Sequence, residues 1–181
     1  MLSETWRNPN AQPIRFRKVL AVAMVADPDL RKRAEDEIVS HLMRSEDALP
    51  ARAVIPDAEL GDVERARQRL RAGGFDGAVV IRPLALEEKV TYHPAYYGVP
   101  YDSFWGYYGY AWPLAYDAGY TRVDQILRVE TLVYSVERDE LVWTGVTSAL
   151  NPGSLREIID DIAQAVGQEL RREGLVPPLP E

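Results

Sequence analysis

The stretch "RKVLAVAMVADPDLRKRAEDEIVSHL", residues 17–42, restricts the possible folds more than any other part of the chain. A run of small and branched apolar residues from Val19 to Ala26 meets Asp27-Pro28-Asp29, after which Leu30, Ala34, Ile38 and Leu42 recur at every fourth position. An apolar run without alternation is a strand buried on both faces. The aspartate can cap a helix whose first position suits proline. The four-residue repeat then lays one apolar stripe along that helix, with Arg31, Lys32, Glu35 and Asp36 turned away. A doubly buried strand followed by such a helix needs a parallel neighbour, which places the chain in the α/β class.

The pattern continues in the same sense. "ARAVIPD", residues 51–57, reads as a second short strand. Asp62 caps a second helix that turns Val63, Ala66 and Leu70 inward and stops at Gly73-Gly74. "FDGAVVIRPLALEEKVTYH", residues 75–93, starts as a buried strand and runs on as an exposed one beyond Pro83. Residues 123–136 and 141–149 are two β-prone segments joined by the polar turn "ERDE", a hairpin. The last helix opens on the capping box of Ser154 and Glu157 and buries Leu155, Ile158, Ile159, Ile162, Val166 and Leu170. Gly174 supplies a left-handed stop and Leu175 folds back, before "VPPLP" leaves as a stiff tail. The predicted order is β-α-β-α-β-β-β-α: a mixed sheet of about five strands, with a parallel core plus an antiparallel hairpin, and three helices. Residues 1–17 read as an N-terminal tether or an edge segment. Residues 18–175 form a single α/β domain with a Tyr/Gly/Trp-rich insertion at 94–120, and 176–181 are a Pro-rich tail.

Charge and motifs remove several function classes. A net charge of -7 with a pI near 5.0 argues against general affinity for nucleic acid or acidic membranes. Arg65, Arg67, Arg69 and Arg71 diverge around a helix and read as a solvated face rather than a phosphate site. With no cysteine, disulfides, thiolate metal sites and cysteine nucleophiles are excluded. No apolar run approaches the roughly 20 residues of a membrane-spanning helix. The turn "ADPDL" puts carboxylates where a dinucleotide-binding fold needs glycines, and no phosphate-cradling glycine loop occurs elsewhere, so no cofactor is expected. His41 reads as a packed or surface side chain and His93 as a partner of the neighbouring aromatic stretch; two histidines alone make no metal site. Ser103, Ser148 and Ser154 lack a nucleophile-elbow context, and within Glu87-Glu88 and Asp160-Asp161 the side chains diverge as solvated charge. No catalytic constellation emerges, so the chain is expected not to be an enzyme. A hydrolytic role would have His93 as its only candidate base.

The insertion "AYYGVPYDSFWGYYGYAWPLAYDAGY", residues 95–120, holds eight Tyr, two Trp and one Phe with no Lys or Arg. Candidate binding residues are Tyr96, Tyr97, Tyr101, Phe104, Trp105, Tyr107, Tyr108, Tyr110 and Trp112. Three readings fit: aromatics covering a sheet face, a surface for a partner protein or for self-association, and a glycan or small-ligand site of the periplasm with Asp102 or Asp117 accepting hydroxyl hydrogen bonds. Long connections of this kind are uncommon within a compact domain and are often functional.

Taken in order, "ETWRNP", the strand-cap-helix of residues 17–42, "GFDGAVVIRPL", the Tyr-Gly-rich insertion, "VETLVYSVERDELVWTG" and "NPGSLREIIDDIAQAV" resemble a group of small bacterial cell-envelope lipoproteins of unassigned function. The resemblance covers most of the chain. It implies a domain on the periplasmic side of the envelope, outer-membrane anchored in its full-length form, with the signal and lipidated cysteine absent from this chain. The strand-helix plan is also similar to the amino-terminal domain of the Tol-system propeller protein and to the core of the curli-secretion lipoprotein, both of which act through protein contacts. A non-enzymatic domain working by protein contact or self-association is the expectation.

Overall fold

A computed structural model describes residues 2–11, 14–42, 47–93, 120–151 and 155–178. Six strands form one mixed sheet among them: β1 (Leu2–Arg7), β2 (Val19–Ala23), β3 (Ala48–Pro50), β4 (Gly77–His93), β5 (Tyr120–Ser135) and β6 (Glu140–Leu150). Their order across the sheet is β1-β6-β5-β4-β2-β3, with β2 parallel to both β3 and β4 and the other neighbours antiparallel. The helices are α1 (Pro28–Leu42), the single turn α2 (Ala51–Val54), α3 (Val63–Ala72) and α4 (Leu155–Arg172). The α/β class, the parallel core, the antiparallel hairpin and the three long helices all stand as the sequence predicts.

Local chemistry explains the start of α1: the Leu30 N–H donates to Asp27 Oδ1 at 2.8 Å, with Pro28 in the first helical position. The inward stripes of α1 and α4 then close one face of the sheet over Val19, Ala21, Val79, Ile81, Val129, Val133 and Trp143. Among the described residues the opposite face is covered at the β4-β2-β3 end, where Ala66 and Leu70 of α3 pack on Leu20, Ala51, Ile55, Phe75 and Ala78.

Several expectations need correction. Of the two readings of the N-terminal segment, tether and edge segment, the second holds for residues 2–7, which pair with β6 as a sixth, edge strand, and Phe16 lies fully buried with its N–H bonded to Leu175 O at 2.9 Å. The segment is held there because the buried Asp76 carboxylate accepts from the backbone N–H groups of Arg17 and Lys18, at 2.9–3.1 Å. The second strand precedes "ARAVIPD"; residues 51–54 turn helically instead, because Glu35 receives the Arg52 N–H at 3.1 Å and satisfies one of the free donors of that turn. Val63 sits at the first position of α3, before the helix has reached the sheet, and is exposed. Val176 of the Pro-rich tail is buried in the core beside Leu175, following Gly174 at φ 72°. Glu35, expected in solvent, is 1% exposed. The Ser154 cap lies outside the described residues.

Candidate functional site

The geometry that bears on function follows from unequal strand lengths. β2 leaves β4 at the Ala23–Ile81 pair, and β6 leaves β5 at the Leu150–Ile126 pair. β4 and β5 continue together to the His93–Tyr120 pair. The pairs from Glu88–Gln125 outward therefore form a two-stranded arm that projects past the sheet, and among the described residues neither of its edges has a partner strand, Asn151 reaching only Gln125 at its base. The arm frames the aromatic insertion, since residues 94–119 connect its two ends. Tyr96, Tyr97, Tyr101, Phe104, Trp105, Tyr107, Tyr108, Tyr110 and Trp112 all lie outside the described residues, as does the side chain of His93.

Because side chains alternate across a strand, the arm has two unlike faces. Pro83, Val129 and Leu127 face the helices, and the same alternation brings Val90 and Val123 to that side as a directly opposed pair, 64% and 52% exposed. Gln125 and Glu88, joined at 3.4 Å, interrupt this apolar line. At its base lies a cavity of about 50 Å³, with walls from Val25, Leu30, Ala34, Ile81, Pro83, Leu127, Val129 and three isoleucines of α4. The irregular pairing between Pro83 and Ala85 leaves Leu84 exposed at the same level. The other face is charged: Arg122 binds Asp124 at 2.7 Å and Arg128 faces Glu87 at 3.7 Å.

A clamp holds the arm at the point where β6 ends. Asn151, in the left-handed region at φ 46°, donates from Nδ2 to Asp124 at 2.6 Å and accepts the Gln125 N–H on Oδ1 at 2.8 Å, while its own N–H reaches Gln125 O at 2.7 Å. The Asn151 hydrogen bond, followed by that from Arg122, holds the Asp124 carboxyl below its ordinary range. Asn151 went unnoticed in the sequence. Its signal is the Asn-Pro-Gly run directly after a β-prone segment.

The remaining candidates fall as follows. Arg65 and Arg69 both reach Glu59, at 3.2 and 2.6 Å, and Arg67 reaches Glu64, so these three belong to a solvated, ion-paired helix surface. The Arg69 bond lowers the Glu59 carboxyl from its usual value. Arg31, also expected in solvent, reaches Asp57 at 2.6 Å. Glu87 and Glu88 point to opposite faces of the arm, as their adjacency implied. His41, by contrast, meets Asp160 at 2.8 Å across the α1–α4 contact, so one member of the Asp160-Asp161 pair is engaged.

No family model matches the chain, and no curated protein matches it. Solved structures similar in backbone include a variant of PelC from Paraburkholderia phytofirmans, solved as a dodecamer. It is 16% identical, covers 92% of this chain and 96% of that chain, and has a TM-score of 0.49. A second crystal form of that dodecamer gives 15% identity, 92% and 95% coverage, and a TM-score of 0.47. Lipoprotein GNA1162 from Neisseria meningitidis gives 11% identity, coverage of 88% and 99%, and a TM-score of 0.42. Likenesses at this level say nothing of what the present chain binds or assembles with.

Proposed function

We propose that this chain is a non-enzymatic protein-contact module that associates with a second copy of itself through the β4–β5 arm and the aromatic insertion the arm frames. One observation carries the reading: beyond Gln125 the arm leaves the sheet with both edges open among the described residues and with the Val90–Val123 pair exposed on one face. A strand edge without a partner offers a row of unsatisfied N–H and C=O groups to another chain, and an adjacent apolar pair gives such pairing a reason to persist. Tyr96, Tyr97, Tyr101, Phe104, Trp105, Tyr107, Tyr108, Tyr110 and Trp112 would add large, semi-polar contact area at the far end of the same element. The compartment we propose with it is the periplasmic side of the bacterial envelope, on the strength of the sequence resemblance to envelope lipoproteins.

The experiment shortens the arm without touching the sheet. Lys89 and Asp124 lie opposite one another, so replacing residues 90–123 by Asn-Gly closes the hairpin on a short turn. Light scattering after size exclusion, over a concentration series, should show the native chain assembling and the shortened chain monomeric, with similar melting temperatures. The same number of subunits for the two chains at every concentration would remove the arm as the contact.

A further inference from the structure

We propose that Glu37, His41 and Asp160 form a binding site for a divalent transition-metal ion bridging α1 and α4. Glu37 and His41 stand four residues apart, on one face of α1. Asp160 comes from the facing helix, with Oδ1 2.8 Å from His41 Nε2. The donor atoms of all three lie within 4.8 Å of one another. A four-coordinate ion with bonds of about 2.0–2.2 Å holds its donors roughly 3.4 Å apart, so side-chain rotation alone can gather these three around an ion.

The backbone beneath them is already fixed. Gly167 lets α4 approach so closely that a Cβ there would stand 2.3 Å from His41 O, and Arg171 Nη1 donates to the same carbonyl at 2.6 Å. Asp160, Gly167 and Arg171 recur at spacings of seven and four, a single stripe of α4 directed at the end of α1. The two helices are thus held in register where the donors converge, and such preorganisation distinguishes a binding site from a chance meeting of surface charges. Glu37 and His41 are half-buried and Asp160 is exposed, so an ion has a path in and water can complete its coordination. One imidazole with two carboxylates suits Zn²⁺, Co²⁺, Mn²⁺ or Fe²⁺ and gives no preference for thiophilic ions. The alternative account of the same atoms is a His41–Asp160 hydrogen bond in which Glu37 has no part.

Titration of the tag-free full chain with zinc chloride, followed by calorimetry and by thermal shift, separates the two. One ion should bind saturably and raise the melting temperature, because it binds the folded state. Affinity should fall about tenfold or more in His41→Ala and in Glu37→Gln, while His93→Ala leaves it unchanged. Glu37→Gln keeps the side chain's shape and does not touch the His41–Asp160 contact, so it decides the matter even if His41→Ala loosens the helix pair. Cobalt chloride titrated into the native chain should give a visible absorption band that Asp160→Asn diminishes. Absence of saturable zinc binding, binding that survives His41→Ala, or a Glu37→Gln variant that binds as the native chain does would each overturn the proposal.

Discussion

The Glu35 carboxylate lies beneath α1, where Arg52 N–H at 3.1 Å, Ala23 N–H at 3.5 Å and the Arg52 guanidinium at 3.6 Å surround it. Burial is the largest influence and raises its pKa above 4.5, against the pull of those bonds and of the Arg52 charge. The sign follows directly. Ionisation is harder in the folded chain than in the unfolded one, so the protonated form's contribution is complete below 4.5 and is lost as pH rises through the higher folded value. Glu35→Gln cannot ionise, and its melting temperature should therefore gain on the native chain's between about pH 4 and about pH 7. A difference that stays constant over that interval would refute the assignment. At the same scale, Thr131 and Thr147 bury hydroxyls that find no hydrogen-bond partner among the described residues. Thr131→Val keeps the shape and removes the desolvated oxygen, so it should add about 1 kcal/mol, read as a higher urea midpoint at unchanged slope.

Among the elements, the pairing of α1 with α4 rests on what Gly167 lacks. Glycine in a helix interior costs about 1 kcal/mol relative to alanine, so propensity alone makes Gly167→Ala a gain. Contact reverses that expectation: the new methyl would meet the His41 carbonyl at 2.3 Å, and a backbone atom cannot rotate aside as a side chain can. The helices must separate, and a net loss of about 1–3 kcal/mol is expected, measured as a lower melting temperature with helix content preserved by circular dichroism. The contrast marks how far the sequence is legible. The stripe Leu30, Ala34, Ile38 and Leu42 shows itself because one face repeats, and Ile158 to Leu170 likewise; these local periodicities are all a single sequence needs to reveal. The burial of Glu35 does not, because it depends on α2 arriving from elsewhere with an N–H to satisfy. The same holds for the site elements: the run of β4 past Pro83 is visible in its composition, whereas the arm exists only because β2 and β6 stop short of it. The Glu37–His41 spacing is visible too, but Asp160 enters from 119 positions away, and no local pattern announces it.

For the molecule as a whole, the open edges of the sheet decide whether it stays soluble or assembles in order. β1 has a weak local signal, a polar segment without alternation, yet it covers the outer edge of β6 from Trp143 to Thr147. Its hold is distributed. Arg7 reaches Glu173 behind α4 at 2.8 Å, Asn8 bonds Glu140 Oε1 at 2.8 Å and Leu141 O at 3.1 Å, and Leu2 packs at Gly145 beside Trp143. Tertiary capture by an existing edge, rather than β-propensity, is what makes this segment a strand. A chain lacking residues 1–11 would expose the edge of β6 from Val142 to Thr147 while leaving the arm intact. If residues 1–7 were a tether, the loss would change neither stability nor solubility. With β1 in the sheet, the shortened chain should melt several degrees lower, as about 1–2 kcal/mol of lost pairing implies, and should scatter light progressively on standing. That disordered growth differs from the saturable assembly expected of the native arm. A truncated chain that remains clear and melts with the native one would show that β6 needs no cover.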